Sequence, residues 1–108
     1  MFTMRDVDEH GMREVMEQAL DIVTDGPDRL HCSLDLDVVD PEIAPGVGTP
    51  VKGGMSYREA HLSMEMVHDS GALGSMDVVE VNPILDERNR TAEMAVDLTA
   101  SAFGKQIL

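Results

Sequence analysis

The chain has 108 residues, 43% of them hydrophobic and 3% aromatic, and its formal net charge is −13. This length predicts a single domain with a modest core, and the acidic charge argues against nucleic acid and membrane surfaces as partners. No apolar run reaches the roughly 18 residues of a membrane span, the first residues do not resemble a signal peptide, and the one cysteine excludes an internal disulfide. We therefore expect a cytoplasmic protein, whose acidic residues form either a solvated surface or an adaptation to high salt.

The beginning of the chain predicts a short strand and one helix. Residues 2–4 are compatible with the strand. From Val7 to Val23, apolar residues recur at helical spacing with charged residues between them, which predicts an amphipathic helix. The sequence Asp-Gly-Pro-Asp at residues 25–28 predicts the end of this helix, because proline cannot continue it.

A second strand and a long loop follow. The segment HCSLDLD, residues 31–37, alternates polar and apolar side chains, which predicts a strand with one buried face. Asp35 and Asp37 fall on the polar face, roughly 6–7 Å apart by the rise per residue. Cys32 falls on the other face, so we expect a buried strand residue and not a nucleophile or ligand. Residues 40–54 contain three prolines and four glycines, which predicts an irregular loop.

The second half of the chain predicts two helices and a strand. The sequence SYRE at residues 56–59 has the pattern of a capping box and predicts a helix that ends near residue 70. Residues 76–81 predict a short strand that carries Glu80 near its end, and residues 90–104 predict a last helix. Its predicted apolar face consists of Ala92, Ala95, Val96, Thr99, Ala102 and Phe103.

The predicted order, β-α-β-α-β-α, is typical of an α/β fold in which helices cover both faces of a parallel sheet. In such sheets, ligands bind beyond the carboxyl ends of the strands, where Asp35, Asp37 and Glu80 are expected to lie. Two like charges at the end of a buried strand are costly without a cation, so this pattern favours a site for a hard metal ion. As an isolated motif, however, a D-x-D pair is a weak signal of metal binding.

Three segments of the chain resemble one enzyme family. SLDLDVVDPEIAPGVGTPVKGGMSYRE at residues 33–59 and VVEVNPILDERNRTAEMAV at residues 78–96 are similar to motifs of the ureohydrolases, the arginase and agmatinase superfamily, and most similar to bacterial-type arginase. FTMRDVDEHGM at residues 2–12 resembles the segment that precedes them. Since the resemblance covers only the last third or so of an arginase, we expect residues 1–108 to be the C-terminal part of a single arginase-like domain with three layers, αβα.

The resemblance implies hydrolysis of L-arginine to ornithine and urea by a dinuclear Mn²⁺ centre, whose bridging hydroxide attacks the guanidinium carbon. It implies that Asp35 bridges the two ions and that Asp37 binds one of them. Glu80 is expected to orient the guanidinium group, although a strand-end acid can instead cap nearby amides. Thr49 resembles the family threonine near the substrate, with a purely structural turn as the alternative.

The resemblance also implies contacts between subunits. Arg58 and Glu59 follow the pattern of residues used between subunits of arginase trimers, so the full-length protein is expected to be a homo-oligomer, a trimer or a hexamer. Glu59 has an alternative role in the capping box. Asp40 precedes a proline, where aspartate commonly starts a turn, and we interpret it as structural.

None of the histidines matches a metal ligand of the family. His31 shares the predicted strand face with Asp35 but lies roughly 13 Å along the strand, too far to share an ion with it. His61 and His68 are expected on the solvated side of the middle helix. We interpret all four histidines as structural or surface residues: His10, His31, His61 and His68.

The chain departs from the family pattern in two ways. Val38 stands where arginases generally carry glycine, which leaves agmatinase or another guanidino-hydrolase as an alternative. The other metal ligands of the family, a His and an Asp-x-His-x-Asp cluster, precede the segment that this chain resembles, so we expect weak metal binding and little hydrolysis by these 108 residues alone. An alternative of another class is a non-catalytic cation-binding or oligomerisation module.

Overall fold

The computed structural model describes residues 1–26, 28–48 and 51–105. None of the helices in these ranges has the length and apolar content that crossing a membrane would need. The elements, in chain order, are α1 (Met4–His10), α2 (Met12–Val23), β1 (Leu30–Asp35), a 3-10 turn (Leu36–Val38), α3 (Tyr57–Asp69), β2 (Leu73–Val79) and α4 (Arg90–Ala102).

The two strands form a parallel pair, and α3 connects them. The register pairs Cys32 with Met76 and Asp35 with Val79, so the carboxyl ends of both strands lie at the same edge of the sheet. The predicted fold class, an α/β fold with a parallel sheet flanked by helices, is therefore confirmed.

One face of this sheet carries the main core. Leu34 and Val78 lie on this face and pack with residues of α2, α3 and α4, including Met64 and the fully buried Leu98. Cys32 belongs to the same face and is half-buried, and this burial raises the pKa of its thiol. Residues on the opposite face are exposed, among them His31, Ser33, Ser75 and Asp77. The described ranges thus form two layers, the sheet and the helices on its covered face. Within these ranges, no helix packs on the open face.

The predicted strand at residues 2–4 is wrong. Thr3 is the N-cap of α1, because its side chain accepts a hydrogen bond from the amide of Asp6, and the Asp6 carboxylate accepts one from the amide of Thr3 at 2.7 Å. These hydrogen bonds lower the pKa of Asp6. The single helix predicted from Val7 to Val23 is divided at Gly11, whose φ of 81° interrupts helical geometry. The observed order is therefore α-α-β-α-β-α.

The bounds predicted for α3 and α4 are confirmed, but the predicted apolar face of α4 is only partly correct. Ser56 and Glu59 form the capping box of α3, and α4 begins at Arg90. Two residues of the predicted apolar face lie outside the core, since Val96 and Phe103 are each 68% exposed, whereas Ala102 is buried in the core and Ala95 packs against it. The buried side of α4 consists of Thr91, Met94, Leu98, Ser101 and Ala102.

Candidate functional site

Asp35 and Asp37 lie at the carboxyl end of β1, but they do not share a strand face as predicted. β1 ends at Asp35, and the chain then turns through the 3-10 segment Leu36–Val38. The Asp35 carboxylate accepts a hydrogen bond from the amide of Asp37 at 2.9 Å, which caps this turn. The alternation of polar and apolar residues continues past the end of the strand, because Leu36 also has a buried side chain. Leu36 is buried, however, as part of the turn and not as part of the strand.

Val38 fits this turn without special backbone geometry. Among the described residues, the non-glycine residues with positive φ are Glu80, Arg88 and Asn89, so Val38 has an ordinary φ. Its side chain is 37% exposed. The turn therefore accommodates valine, where the resemblance led us to expect glycine.

Asp40 holds the two ends of the following loop together. Its carboxylate accepts hydrogen bonds from the amides of Glu42 at 2.9 Å and Gly53 at 3.2 Å. Its own amide donates to the carbonyl of Met55 at 3.0 Å. Asp40 thus has the structural role that its position before proline predicts, and it also closes the loop onto the end of β1.

Gly54 allows the returning chain to lie directly against the turn. A Cβ at this position would be 2.6 Å from the carbonyl oxygen of Val38 and 2.8 Å from the amide nitrogen of Asp40. The same approach lets the Met55 amide donate to the Val38 carbonyl at 2.8 Å. Backbone atoms cannot yield as a side chain can, so we conclude that only glycine fits here.

Glu80 comes to the same edge of the sheet from β2. It directly follows Val79, the register partner of Asp35, so the two carboxylates leave neighbouring parallel strands at one edge. Glu80 has a φ of 69°, in the left-handed region, and its side chain is exposed. Its Oε2 atom lies 3.3 Å from where a Cβ of Gly48 would be, so the carboxylate faces the loop backbone at Gly48.

Two other predicted site residues, Arg58 and Glu59, are not brought to this edge by the observed contacts. Thr49 lies outside the described residues. Arg58 is exposed in the first turn of α3. The carboxylate of Glu59 accepts a hydrogen bond from the Ser56 amide at 3.0 Å, which is its role in the capping box. An interface role for Arg58 and Glu59 stays a prediction.

The carboxylates of Asp35 and Asp37 are oxygen ligands of the kind that Mn²⁺ accepts. Within the ranges that the structure describes, however, no three His, Cys, Asp or Glu side chains are placed to hold one metal ion. The donor chemistry fits such a metal, but the number of ligands does not. Among the described residues, Asp35 and Asp37 are thus two candidate ligands without a third beside them.

The histidines fall into two environments. His31 is on the open face of the sheet, where its ring contacts Ser75 at 2.7 Å and Asp77 at 2.9 Å, so it is engaged away from Asp35. His61 was predicted to be solvated, but it is 1% exposed and contacts Ser101 at 2.9 Å, and its ring packs against the ring of Tyr57 with the two planes tilted by 47°. Its burial lowers the pKa of its imidazole. The prediction for His61 fails because α4 covers a polar position of α3. His10 and His68 are exposed, as predicted.

Two residues of the site region carry no sequence prediction, namely Asp86 and Thr91. Asp86 accepts hydrogen bonds from the amides of Thr91 at 3.0 Å and Ala92 at 3.2 Å, at the start of α4. Burial alone would raise the pKa of Asp86, but these hydrogen bonds lower it below its ordinary value. Thr91 is fully buried, and its hydroxyl accepts a hydrogen bond from the Gly46 amide at 2.7 Å. An acid shortly before a helix is a recognisable capping signal, whereas a buried threonine has none.

Comparison with known proteins gives concordant results. The profile of the family described as "Arginase family" matches residues 1–104. Arginase from Bacillus subtilis (strain 168) is 53% identical over 108 residues, which cover 100% of this chain and 36% of the relative. The chain therefore spans about a third of the length of this curated relative.

Solved structures show the same likeness. The native structure of arginase from Bacillus caldovelox at pH 5.6 matches with a TM-score of 0.95 and 52% identity, over 99% of this chain and 36% of that chain. A hypothetical agmatinase from Burkholderia thailandensis matches with a TM-score of 0.76 and 37% identity, over 90% of this chain and 30% of that chain. The arrangement of helices and strands described above is thus that of the corresponding part of these proteins.

Proposed function

Because this chain belongs to the arginase family, we propose that its protein hydrolyses the guanidinium group of L-arginine to ornithine and urea, with Mn²⁺ as the cofactor. The observation that best supports this is the placement of two carboxylates, since Asp35 and Glu80 leave adjacent parallel strands at one edge of the sheet. This edge is where ligands bind in α/β folds. The 108 residues would supply part of the metal site and part of the substrate site.

The roles follow from the chemistry of each group. Asp35 and Asp37 would be ligands of Mn²⁺, which supplies the Lewis acidity that activates water. Glu80 would accept two parallel hydrogen bonds from the planar guanidinium group, and this holds its carbon in a fixed orientation. Thr49 would contact the substrate, as the resemblance to the family implies.

The remaining parts of the centre would come from residues outside this chain. We propose that residues 1–108 form the C-terminal part of one domain, and that the missing metal ligands precede them. Arg58 and Glu59 would contribute to contacts between subunits of a homo-oligomer. The test is to sequence the DNA upstream of codon 1 and look for an in-frame Asp-x-His-x-Asp. A stop codon without such a cluster would contradict the proposal and favour the non-catalytic cation-binding or oligomerisation module.

Glu80 gives the sharpest test of the substrate site. In the protein expressed from the whole reading frame, Glu80→Gln should lower kcat/KM for arginine about 10-fold or more, because one charged hydrogen-bonding partner of the guanidinium group is lost. The measurement is urea release in the presence of Mn²⁺. Glu87→Gln is a matched control, because Glu87 is an exposed acid of the same segment, with a side chain 69% accessible. Equal activity of Glu80→Gln and the unchanged protein would contradict the role of Glu80.

A separate prediction concerns the activity of the 108-residue chain alone. Assayed alone with Mn²⁺ and arginine, it should release little or no urea, since the described residues do not assemble three ligands for one ion. Sustained turnover by this chain would contradict the proposal that it holds only part of the site. Asp35→Asn serves as the control that assigns any urea release to the carboxylate at the end of β1.

Agmatinase is the second candidate. It is favoured by the likeness to a hypothetical agmatinase at 37% identity and by Val38 in place of the glycine that arginases generally carry. The two substrates differ by the α-carboxylate of arginine. The ratio of kcat/KM for arginine to that for agmatine, measured on the protein from the whole reading frame, decides between them, with a ratio above one expected for an arginase.

A further inference from the structure

The loop that faces Glu80 is held by the segment that follows β2. The carbonyl of Gly46 accepts a hydrogen bond from the amide of Asn82 at 2.6 Å. The amide of Gly46 donates to the hydroxyl of Thr91 at 2.7 Å. Both backbone polar groups of one loop residue are therefore bound, one by the chain just after Glu80 and the other by the first turn of α4.

The side chain of Asp86 also packs directly against Gly46. A Cβ at Gly46 would lie 2.5 Å from the Cβ and Cγ atoms of Asp86, so the aspartate side chain occupies the space that any larger residue would need. The carboxylate of Asp86 is in turn fixed by the amides of Thr91 and Ala92. Asp86 thus packs on the loop and caps α4 at the same time.

This attachment is close to the carboxylate that we assign to the substrate. Val47 alone separates Gly46 from Gly48, and it is fully buried. Gly48 is the loop residue that faces the Oε2 atom of Glu80. A displacement at Gly46 would therefore be transmitted over two residues to the backbone beside Glu80, because the buried Val47 leaves little freedom between them.

We propose that Thr91 and Asp86 are positioning residues, which hold the loop at Gly46 and so keep Gly48 against Glu80 in the arrangement that accepts a guanidinium group. Thr91 acts without touching the substrate, since it is fully buried. This inference deepens the proposed function and rests on it. It assigns a role to two residues of the stretch VNPILDERNRT, residues 81–91, beyond the carboxylate of Glu80.

The first part of the test uses the 108-residue chain and does not depend on activity. Thr91→Val keeps the shape but removes the acceptor of the Gly46 amide, whereas Thr91→Ser keeps the hydroxyl. Hydrogen exchange of the Gly46 amide, measured by NMR relative to the amide of Met64 in α3, should become about 10-fold or more faster in Thr91→Val. The ratio to Met64 separates local release of the loop from lower stability of the whole chain. Thr91→Ser and the exposed control Glu93→Gln should retain the original ratio.

The second part uses the protein from the whole reading frame. Thr91→Val should raise KM for arginine several-fold with a smaller change in kcat, because the guanidinium site is loosened before chemistry. Thr91→Ser should restore KM. An unchanged exchange ratio at Gly46 would overturn the proposal, and so would faster exchange without any change in KM. If the unchanged protein releases no urea from arginine in the presence of Mn²⁺, the proposed function itself fails, and this outcome is independent of the exchange result.

Discussion

The two faces of the sheet are stabilised in different ways. On the covered face, apolar side chains of both strands pack against α2, α3 and α4, and Leu34 at 7% and Leu98 at 0% exposure are almost inaccessible to solvent. On the open face, Ser33 donates to Asp77 at 2.6 Å, and His31 bridges Asp77 and Ser75. The first face depends on burial of apolar area, whereas the second depends on hydrogen bonds formed in water.

This difference indicates where the stability of the chain comes from. Burial of apolar area stabilises a fold by about 25 cal/mol per Å². Exposed ion pairs and hydrogen bonds contribute little, because the same groups interact with water in the unfolded state. The side chains of His31 and Asp77 are each 50% accessible. We therefore expect substitutions on the covered face to reduce the free energy of unfolding far more than substitutions on the open face.

Leu98 should show the largest effect. It is fully buried between α4 and the rest of the core, so Leu98→Ala should lower the free energy of unfolding by about 2–5 kcal/mol through lost burial and a cavity. Denaturant unfolding measures this change. Val96→Ala is the matched control on the same helix, because Val96 is 68% exposed and should have only a small effect. Similar effects of the two substitutions would contradict the assignment of the buried side of α4.

His61 should give a smaller effect that depends on pH. Its pKa in the folded state is below the ordinary 6.5, chiefly because of burial, while Asp97 and Glu65 act in the opposite direction. The unfolded state therefore binds more protons than the folded state. The contribution of His61 to the free energy of unfolding is complete above pH 6.5 and decreases below it, by at most about 1.4 kcal/mol per pH unit.

The measurement is the midpoint of urea unfolding between pH 7.5 and 5. His61→Asn should remove this part of the pH dependence, because the buried titrating group is gone. His68→Gln is the control, since His68 is an exposed histidine of the same helix. If the pH dependence of the unfolding midpoint is lost in His68→Gln but retained in His61→Asn, the burial of His61 does not account for this pH dependence.

Asp77 should show the smallest effect. Its hydrogen bonds with Ser33 and His31 lower its pKa below the ordinary 3.8. It therefore contributes stability above pH 3.8, which is lost as the pH falls through its folded-state pKa. Asp77→Asn should change the free energy of unfolding at pH 7 only slightly and should remove this acid-dependent part. A change as large as that of Leu98→Ala would mean that the open face is covered in solution by another part of the protein or by a second copy.

Features with a local cause could be predicted from the sequence. The capping box of Ser56 and Glu59 sets the start of α3, and the glycine at position 71 follows its end, as the pattern indicates. The same logic explains the wrong strand at residues 2–4. Thr3 and Asp6 have capping spacing too, and these hydrogen bonds start a helix there.

Features that depend on neighbours in space could not be predicted in this way. Thr91 and Ser101 are polar, yet they lie on the buried side of α4, because each has a hydrogen-bonding partner outside α4: the Gly46 amide for Thr91 and the His61 ring for Ser101. The turn after Asp35 likewise depends on the returning loop, whose Met55 pairs with Val39. The alternating pattern of the sequence does not predict this contact. For the candidate site, the sequence indicated the carboxylates at the strand ends but not the attachment of the loop that faces them.

The left-handed backbone of Glu80 has a consequence for protein engineering. A non-glycine residue in this conformation is disfavoured by roughly 1–2 kcal/mol, and glycine adopts it freely. A screen that rewards thermal stability alone would therefore select Glu80→Gly among its first gains. The stabilised protein would have lost the carboxylate that faces the loop, so the proposed activity should be selected together with heat resistance at this position.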